Sequence, residues 1–311
     1  MAPNDRMTSL PTMAAGNPLD LKAKQDMVAG INGLQTALND GFVNTLQVAL
    51  DQLGDVRGDL IYRNASAWVA LAAGTSGQFL QTKGSSANPV WANGLVTVAL
   101  QTFTSGGTYT PTSGMLYCLM VCIGGGAGGG GSANSAGGSA AGGGGGGGGS
   151  ISIKLSTAAT VGASQTVTIG AVANGGSAGN NAGTAGNDTS IGSICVGKGG
   201  SAGGGSDGTA SGTAGAGGVA GTGDLTFVGN SGTTGPKASI ITVALMTGRG
   251  GSGPLGGSAG GGNVSTNTNG AAGANYGAGG NGGVSWNGGG TASGGNGAQG
   301  VAFVLEFVKG S

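Results

Sequence analysis

Apolar residues first recur along the chain in steps of three and four. Met27, Ile31, Leu34, Leu38, Phe42, Leu46, Leu50 and Leu53 advance as one face of a helix must. Their mean step of about 3.7 residues is nearer to unstrained or slightly right-handed packing than to a strict heptad. Asn17 is placed to cap this helix, Pro18 suits its first turn, and Asp20 lies near the positive end of its dipole. The spacing therefore predicts a helix over 18–53. Gly30, Gly33 and Gly41 each weaken it by about 1 kcal/mol relative to alanine, so it needs a partner. The economical partner is another copy of itself, and the other option is the chain's own downstream domain. Residues 1–17 are polar, carry Pro3 and Pro11 and show no periodicity, as an arm or attachment segment would.

Beyond the stripe the apolar groups shorten. Those at 60–62, 68–71 and 79–80, separated by Gly74, Gly77 and Gly84, read as brief strands and turns. The stretch 54–94 holds Tyr62, Trp68, Phe79 and Trp91 yet is too short for an independent core, so it is expected to fold wrapped with other chains. Its Arg57-Gly58-Asp59 tripeptide reads as a turn at the helix exit. Further strands are predicted at 95–100, 116–123, 151–155, 166–169, 191–196, 225–228, 239–246 and 301–308. Between them run tracts of glycine, such as 142–149 and 256–274.

Composition changes the picture most in these tracts. Glycine supplies 78 of 311 residues, and between 124 and 300 it fills 64 of 177 positions alongside only 7 charged side chains. Disordered chains usually carry charge, so this contrast argues for order. Proline is scarce and glycine does not recur at every third position along the chain, which excludes a collagen triple helix. Extended glycine segments lying side by side can satisfy one another's N–H and C=O groups. The closing strand at 301–308 makes the tracts loops held by a sheet at their base. A net charge of zero gives no electrostatic reason to expect nucleic acid or anionic membrane as a partner. Neither a signal peptide nor a run of about 20 apolar residues is visible.

Candidate chemistry is sparse. Histidine is absent, which removes His-based acid–base catalysis, a Ser-His-Asp triad and most zinc sites. Asp188, Asp207 and Asp224 are too scattered for a paired carboxylate site. Cys118 and Cys122 fall on one face of a strand, roughly 13 Å apart by strand rise, too far to bond to each other. No enzyme activity, metal or cofactor is expected. What remains is binding through exposed loops. Tyr276 and Trp286 sit among glycine and asparagine, where no apolar alternation explains them, and aromatics among small polar groups suit recognition loops. Asn269, Asn275 and Asn287, with Asn180, Asn181, Asn267 and Asn281, are candidate hydrogen-bonding partners for a ligand, although Asn also forms turns.

One series of motifs is more specific than glycine content. Gly58-Asp59-Leu60-Ile61-Tyr62-Arg63-Asn64, then Trp68-Val69-Ala70-Leu71, Gly77-Gln78-Phe79-Leu80 and Pro89-Val90-Trp91-Ala92, resembles the repeat-like module of bacteriophage tail fibres. Phe103-Thr104-Ser105-Gly106-Gly107-Thr108-Tyr109-Thr110-Pro111, the strand ending in Gly124-Gly125-Gly126, and the late strand from Val301 to Phe307 resemble the glycine-rich C-terminal domain of such fibres. The resemblance covers about 58–308. It implies a homotrimeric virion fibre or distal tip that contacts other virion tail proteins and faces a bacterial outer-membrane protein or surface polysaccharide. Related adhesins have stacked polyglycine helices and other fibre tips are β-structured, and both options stay open for these tracts. The expected architecture is mainly β: an arm at 1–17, a trimeric helical stalk at 18–53, a small intertwined β module at 54–94 and a glycine-rich β tip domain at 95–311. Adhesion without catalysis is the expected role, and a structural fibre or spike component contacting only phage proteins is the alternative.

Overall fold

The computed structural model describes residues 18–54, 56–94, 96–239, 244–257 and 260–309. The expected arm at 1–17 and the centre of the expected strand at 239–246 lie outside them. The chain divides into two compact units, Met1–Gly94 and Leu95–Ser311.

In the first unit α1 runs from Pro18 to Leu53, and its apolar stripe faces solvent, with Leu34, Leu38 and Phe42 each at least 70% exposed. Two antiparallel hairpins follow. β1 (Leu60–Arg63) pairs with β2 (Trp68–Leu71), and β3 (Gln78–Gln81) pairs with β4 (Val90–Asn93). Trp91 donates its indole N–H to the Ala72 carbonyl at 2.6 Å, and Asp59 accepts from the Ala73 N–H at 3.0 Å. The aspartate of the Arg-Gly-Asp tripeptide thus holds the module together. Trp68, Phe79 and Leu80 remain about half exposed.

The second unit begins as a two-layer β-sandwich. One layer has the order β13 (Leu225–Phe227), β9 (Ile151–Thr157), β7 (Met115–Ile123), β18 (Val301–Lys309), β5 (Val96–Phe103). The other has β12 (Cys195–Gly197), β11 (Thr189–Ile191), β10 (Gln165–Thr168), β6 (Gly107–Tyr109). A single helical turn, α2 (Ala158–Val161), follows β9 and is capped by the Thr157 hydroxyl. Strand alternation sends Cys118, Met120, Cys122, Ala302 and Val304 into the core between the layers, with Tyr109, Val167 and Ile191 from the other side. Cys118, Cys122 and Cys195 are all buried and free. Glu306 is also buried there, its carboxylate accepting from the Tyr109 hydroxyl at 2.7 Å, the Thr112 N–H at 3.0 Å and the Thr112 hydroxyl at 2.5 Å. The outward positions of the five-stranded layer are apolar as well. Register places Leu100, Leu305, Leu119 and Leu155 in one row across four strands, with Val98, Phe307 and Tyr117 in the next.

The glycine tracts are rods, so of the two options the sequence leaves open, stacked polyglycine helices are the one that the structure holds. Successive N–H groups of 124–132 point to three different neighbours in rotation. Gly124, Ala127 and Gly130 donate to 144–150, Gly125, Gly128 and Gly131 donate to 181–187, and Gly126, Gly129 and Ser132 donate to 292–298. Carbonyls in the same segment accept from 200–206, from 280–283 and from Gly176. A three-residue repeat without internal hydrogen bonds is the geometry of a polyproline-II-like helix, and six neighbours make a hexagonal array. Segment 142–150 repeats the pattern, donating in rotation to 230–236, 277–283 and 198–204 and accepting from 212–218, from Gly251 and from 124–130. The donor bonds of these two rods measure 2.8–3.0 Å. Both rods are buried throughout, and nine residues at about 3.1 Å rise make each about 28 Å long.

The same geometry explains the outer rods. Glycine does recur at every third position locally: Gly212, Gly215 and Gly218; Gly229, Gly232 and Gly235; Gly294, Gly297 and Gly300. A Cβ at any of these nine positions would collide with neighbouring backbone or side-chain atoms. Most of the intervening positions carry Ala, Ser, Thr or Asn, with Gly217, Gly295 and Gln299 as the exceptions. Three short pairings, among β8 (Ala140–Gly142), β14 (Lys237–Ala238) and β17 (Val284–Trp286) and between β15 (Leu245–Met246) and β16 (Asn263–Val264), join the rods at the end away from the sandwich.

Candidate functional site

Rods that leave the sandwich and return must turn at the far end. Turns 133–139, 207–211 and 287–291, remote in sequence, come together there. Positive-φ residues mark them, including Gly138, Gly208, Gly288 and Gly290, together with Asn287 at φ 54°. Side chains tie one turn to the next. Asn287 accepts from the Gly138 N–H at 2.8 Å, Asn134 accepts from the Gly290 N–H at 2.9 Å, and Asn267 accepts from the Trp286 N–H at 2.6 Å. Buried Ser285 accepts from the Ser135 N–H at 2.9 Å and donates to the Gly290 carbonyl at 2.6 Å.

Asp207 closes its turn by accepting from the Thr209 N–H, the Thr209 hydroxyl and the Ala210 N–H at 2.7–2.8 Å. The backbone donors of Thr209 and Ala210, followed by the Thr209 hydroxyl, hold its carboxyl below the usual carboxylate range. It is a turn residue, one of whose carboxylate oxygens takes all three bonds. Among the described residues no three His, Cys, Asp or Glu side chains form a group able to hold a metal ion.

The five candidate binding residues do not form one cluster. Trp286, Asn287 and Asn269 lie at the far end, where Asn269 accepts from the Ser293 N–H at 3.0 Å. Tyr276 and Asn275 sit in the turn at the sandwich end, where Gly277 bonds to Gly149 at the close of the central rod. One rod length, about 28 Å, separates the two groups. Asn275 adopts φ 61° and is explained as a turn former. Asn281 is buried, accepts from the Gly250 N–H and donates to the Gly260 carbonyl, so it belongs to the array interior. Asn181 donates back to the carbonyls of Ser177 and Ala178 within its own turn.

Sequence reasoning passed over Asn134, Ser135 and Ser285, which organise the far end. Their signal was position: each lies within a few residues of a rod terminus. The far end is a surface of one partly exposed indole, asparagine side chains and backbone groups, with few charges nearby. Such a surface recognises by hydrogen bonds and stacking more than by charge. A second concavity of about 340 Å³, lined by Ile151, Phe227, Val228, Asn230, Ser252 and Pro254, lies at the sandwich end.

No family model matches the chain, and no curated protein sequence matches it.

Proposed function

We propose that the protein is a subunit of a bacteriophage tail fibre or fibre tip that binds a receptor on the bacterial surface. The observation that carries this reading is the gathering of turns 133–139, 207–211 and 287–291 at one end of a glycine array, the first and last tied to each other by side-chain hydrogen bonds and the second joined to the first through the Ala133 N–H and the Ser206 carbonyl. Glycine rods bonded mainly through backbone depend little on the side chains of the turns they display. Turn sequences can then change while the scaffold stays fixed, which suits a recognition surface on a rigid support. Within that surface Trp286 supplies the apolar anchor, and Asn287 and Asn269 supply polar contacts. The receptor is an outer-membrane protein or a surface polysaccharide, and nucleic acid is not a partner.

The exposed apolar stripe of α1 supports the same reading. The exposed stripe from Met27 through Ile31, Leu34, Leu38, Phe42 and Leu46 to Leu50 suits a helical bundle of identical chains. A homotrimer would present three copies of the far-end surface, and simultaneous engagement raises avidity above that of one weak contact. The remaining partners are other virion tail proteins. Binding of the purified full-length chain to susceptible and receptor-deficient bacteria, with its mass measured on the same sample, tests the proposal. Loss of binding on the deficient cells supports it. A folded oligomer that binds neither cell type moves the assignment to a structural virion component.

A further inference from the structure

One face of the five-stranded layer packs against the second layer of the sandwich, while the other is apolar and, among the described residues of this unit, left largely open. On the outward face Val98, Leu100, Tyr117, Leu155, Leu225 and Phe227 are each between 40 and 63% exposed. They belong to all the strands of the layer except β18, whose outward Phe303, Leu305 and Phe307 fill the gaps between them. Phe307 stacks on Tyr117 within it, with ring centroids 4.8 Å apart. Its centre carries no charged side chain, and Lys309 stands at one end of β18.

We infer that this face is a second subunit interface, closed by other copies of the same chain. The inference rests on the self-associating reading above but not on receptor binding. Covering side chains of this size at these exposures removes on the order of 700 Å² from water per chain, close to the ~800 Å² per partner of a stable interface. That exceeds the ~300–600 Å² of the largest apolar patch on a typical monomer. An unbroken apolar centre without charge has the character of an obligate interface, a core divided between subunits. A second copy supplies a matching apolar face at equal stoichiometry, which is how closed symmetric assemblies form. The stripe of α1, in the other unit, calls for the same kind of partner.

Thiol labelling of the full-length protein under native conditions tests the interface. All three native cysteines are buried, so an introduced cysteine reports its own accessibility. Leu155→Cys and Leu100→Cys are compared with Val219→Cys, a control at a position 67% exposed. All three positions are more than half exposed in the single chain, so each substitution removes little contact within it. The expected result is an oligomeric mass with maleimide labelling at both sheet positions at least ten-fold slower than at the control. Leu100→Glu should in addition shift assembly to higher protein concentration. Labelling of the sheet positions at the control rate in an oligomer overturns the inference, as does protection in a chain of monomeric mass. Protection in an oligomer that fails to bind cells upholds the interface while removing the receptor reading.

Discussion

Gly145 sits in the middle of a central rod, donating to the Thr233 carbonyl at 2.9 Å and accepting from the Gly215 N–H at 2.8 Å. A Cβ on it would overlap the backbone carbonyl of Arg249, which cannot swing aside as a side-chain terminus can. Gly145→Ala must therefore push a neighbouring rod away. Overpacking of this kind costs about 1–3 kcal/mol, and disturbing two backbone hydrogen bonds adds about 1 kcal/mol each, for a total of about 3–5 kcal/mol. In a unit of this size that lowers the thermal midpoint by roughly 6–20 °C. Gly137 is the control, since a Cβ there meets nothing within 4 Å, and its alanine variant should stay within about 0.5 kcal/mol of the parent. Calorimetry and far-ultraviolet dichroism on the two variants supply the comparison. Were the tracts disordered loops, alanine at either position would be neutral or would stabilise by about 0.4–1 kcal/mol through the unfolded chain. Equal midpoints for the two variants would refute the close-packed array.

Glu306 predicts an acid limit. Burial pushes its carboxyl up, but the Thr112 hydroxyl, the Tyr109 hydroxyl and the Thr112 N–H together outweigh that and leave it below the ordinary glutamate value. A depressed folded value means stability that is fully present above the unfolded value of about 4.3 and is lost as pH falls through the folded one. Melting between pH 7 and pH 2 should show this loss, with a flatter profile in Glu306→Gln, and Tyr109→Phe should cost about 1.5–3 kcal/mol at neutral pH. Leu38→Asp, at a position 74% exposed in the single chain, should leave the far-ultraviolet spectrum of the second unit unchanged while lowering the mass measured by light scattering. Trp286→Ala should weaken cell binding at least ten-fold, whereas Tyr276→Ala, at the opposite end of the array, should bind as the parent does.

Much of the fold was legible wherever side chains carry a period. The 3.7-residue step of Met27 to Leu53 ends where α1 ends, at Leu53. The strands β7 and β18 stand out as long apolar runs, and β9 as an alternation of Ile151, Ile153 and Leu155 with polar residues. The tracts were harder. In the interior rods every side is contacted, every position is glycine or nearly so, and no pattern survives to be read. The outer rods do carry one, a glycine at each third position from Gly212 to Gly218 and from Gly229 to Gly235. Averaged over the whole chain, that local period disappears among strands and turns. Tyr276 and Trp286 look alike in sequence, since both interrupt glycine and asparagine. Only the direction of the rod between them places one at the sandwich and the other at the far end.

Native-state hydrogen exchange resolved to single amides tests the central claim most directly, because the array is held mainly by its backbone hydrogen bonds. The amides of Gly125 to Gly131 and Gly143 to Gly149 should exchange together and as slowly as those at the centres of β7 and β18, through global opening alone. Exchange of these glycines at the rate of an unprotected chain, with the strands still protected, would contradict the array and the rigid display of turns that depends on it.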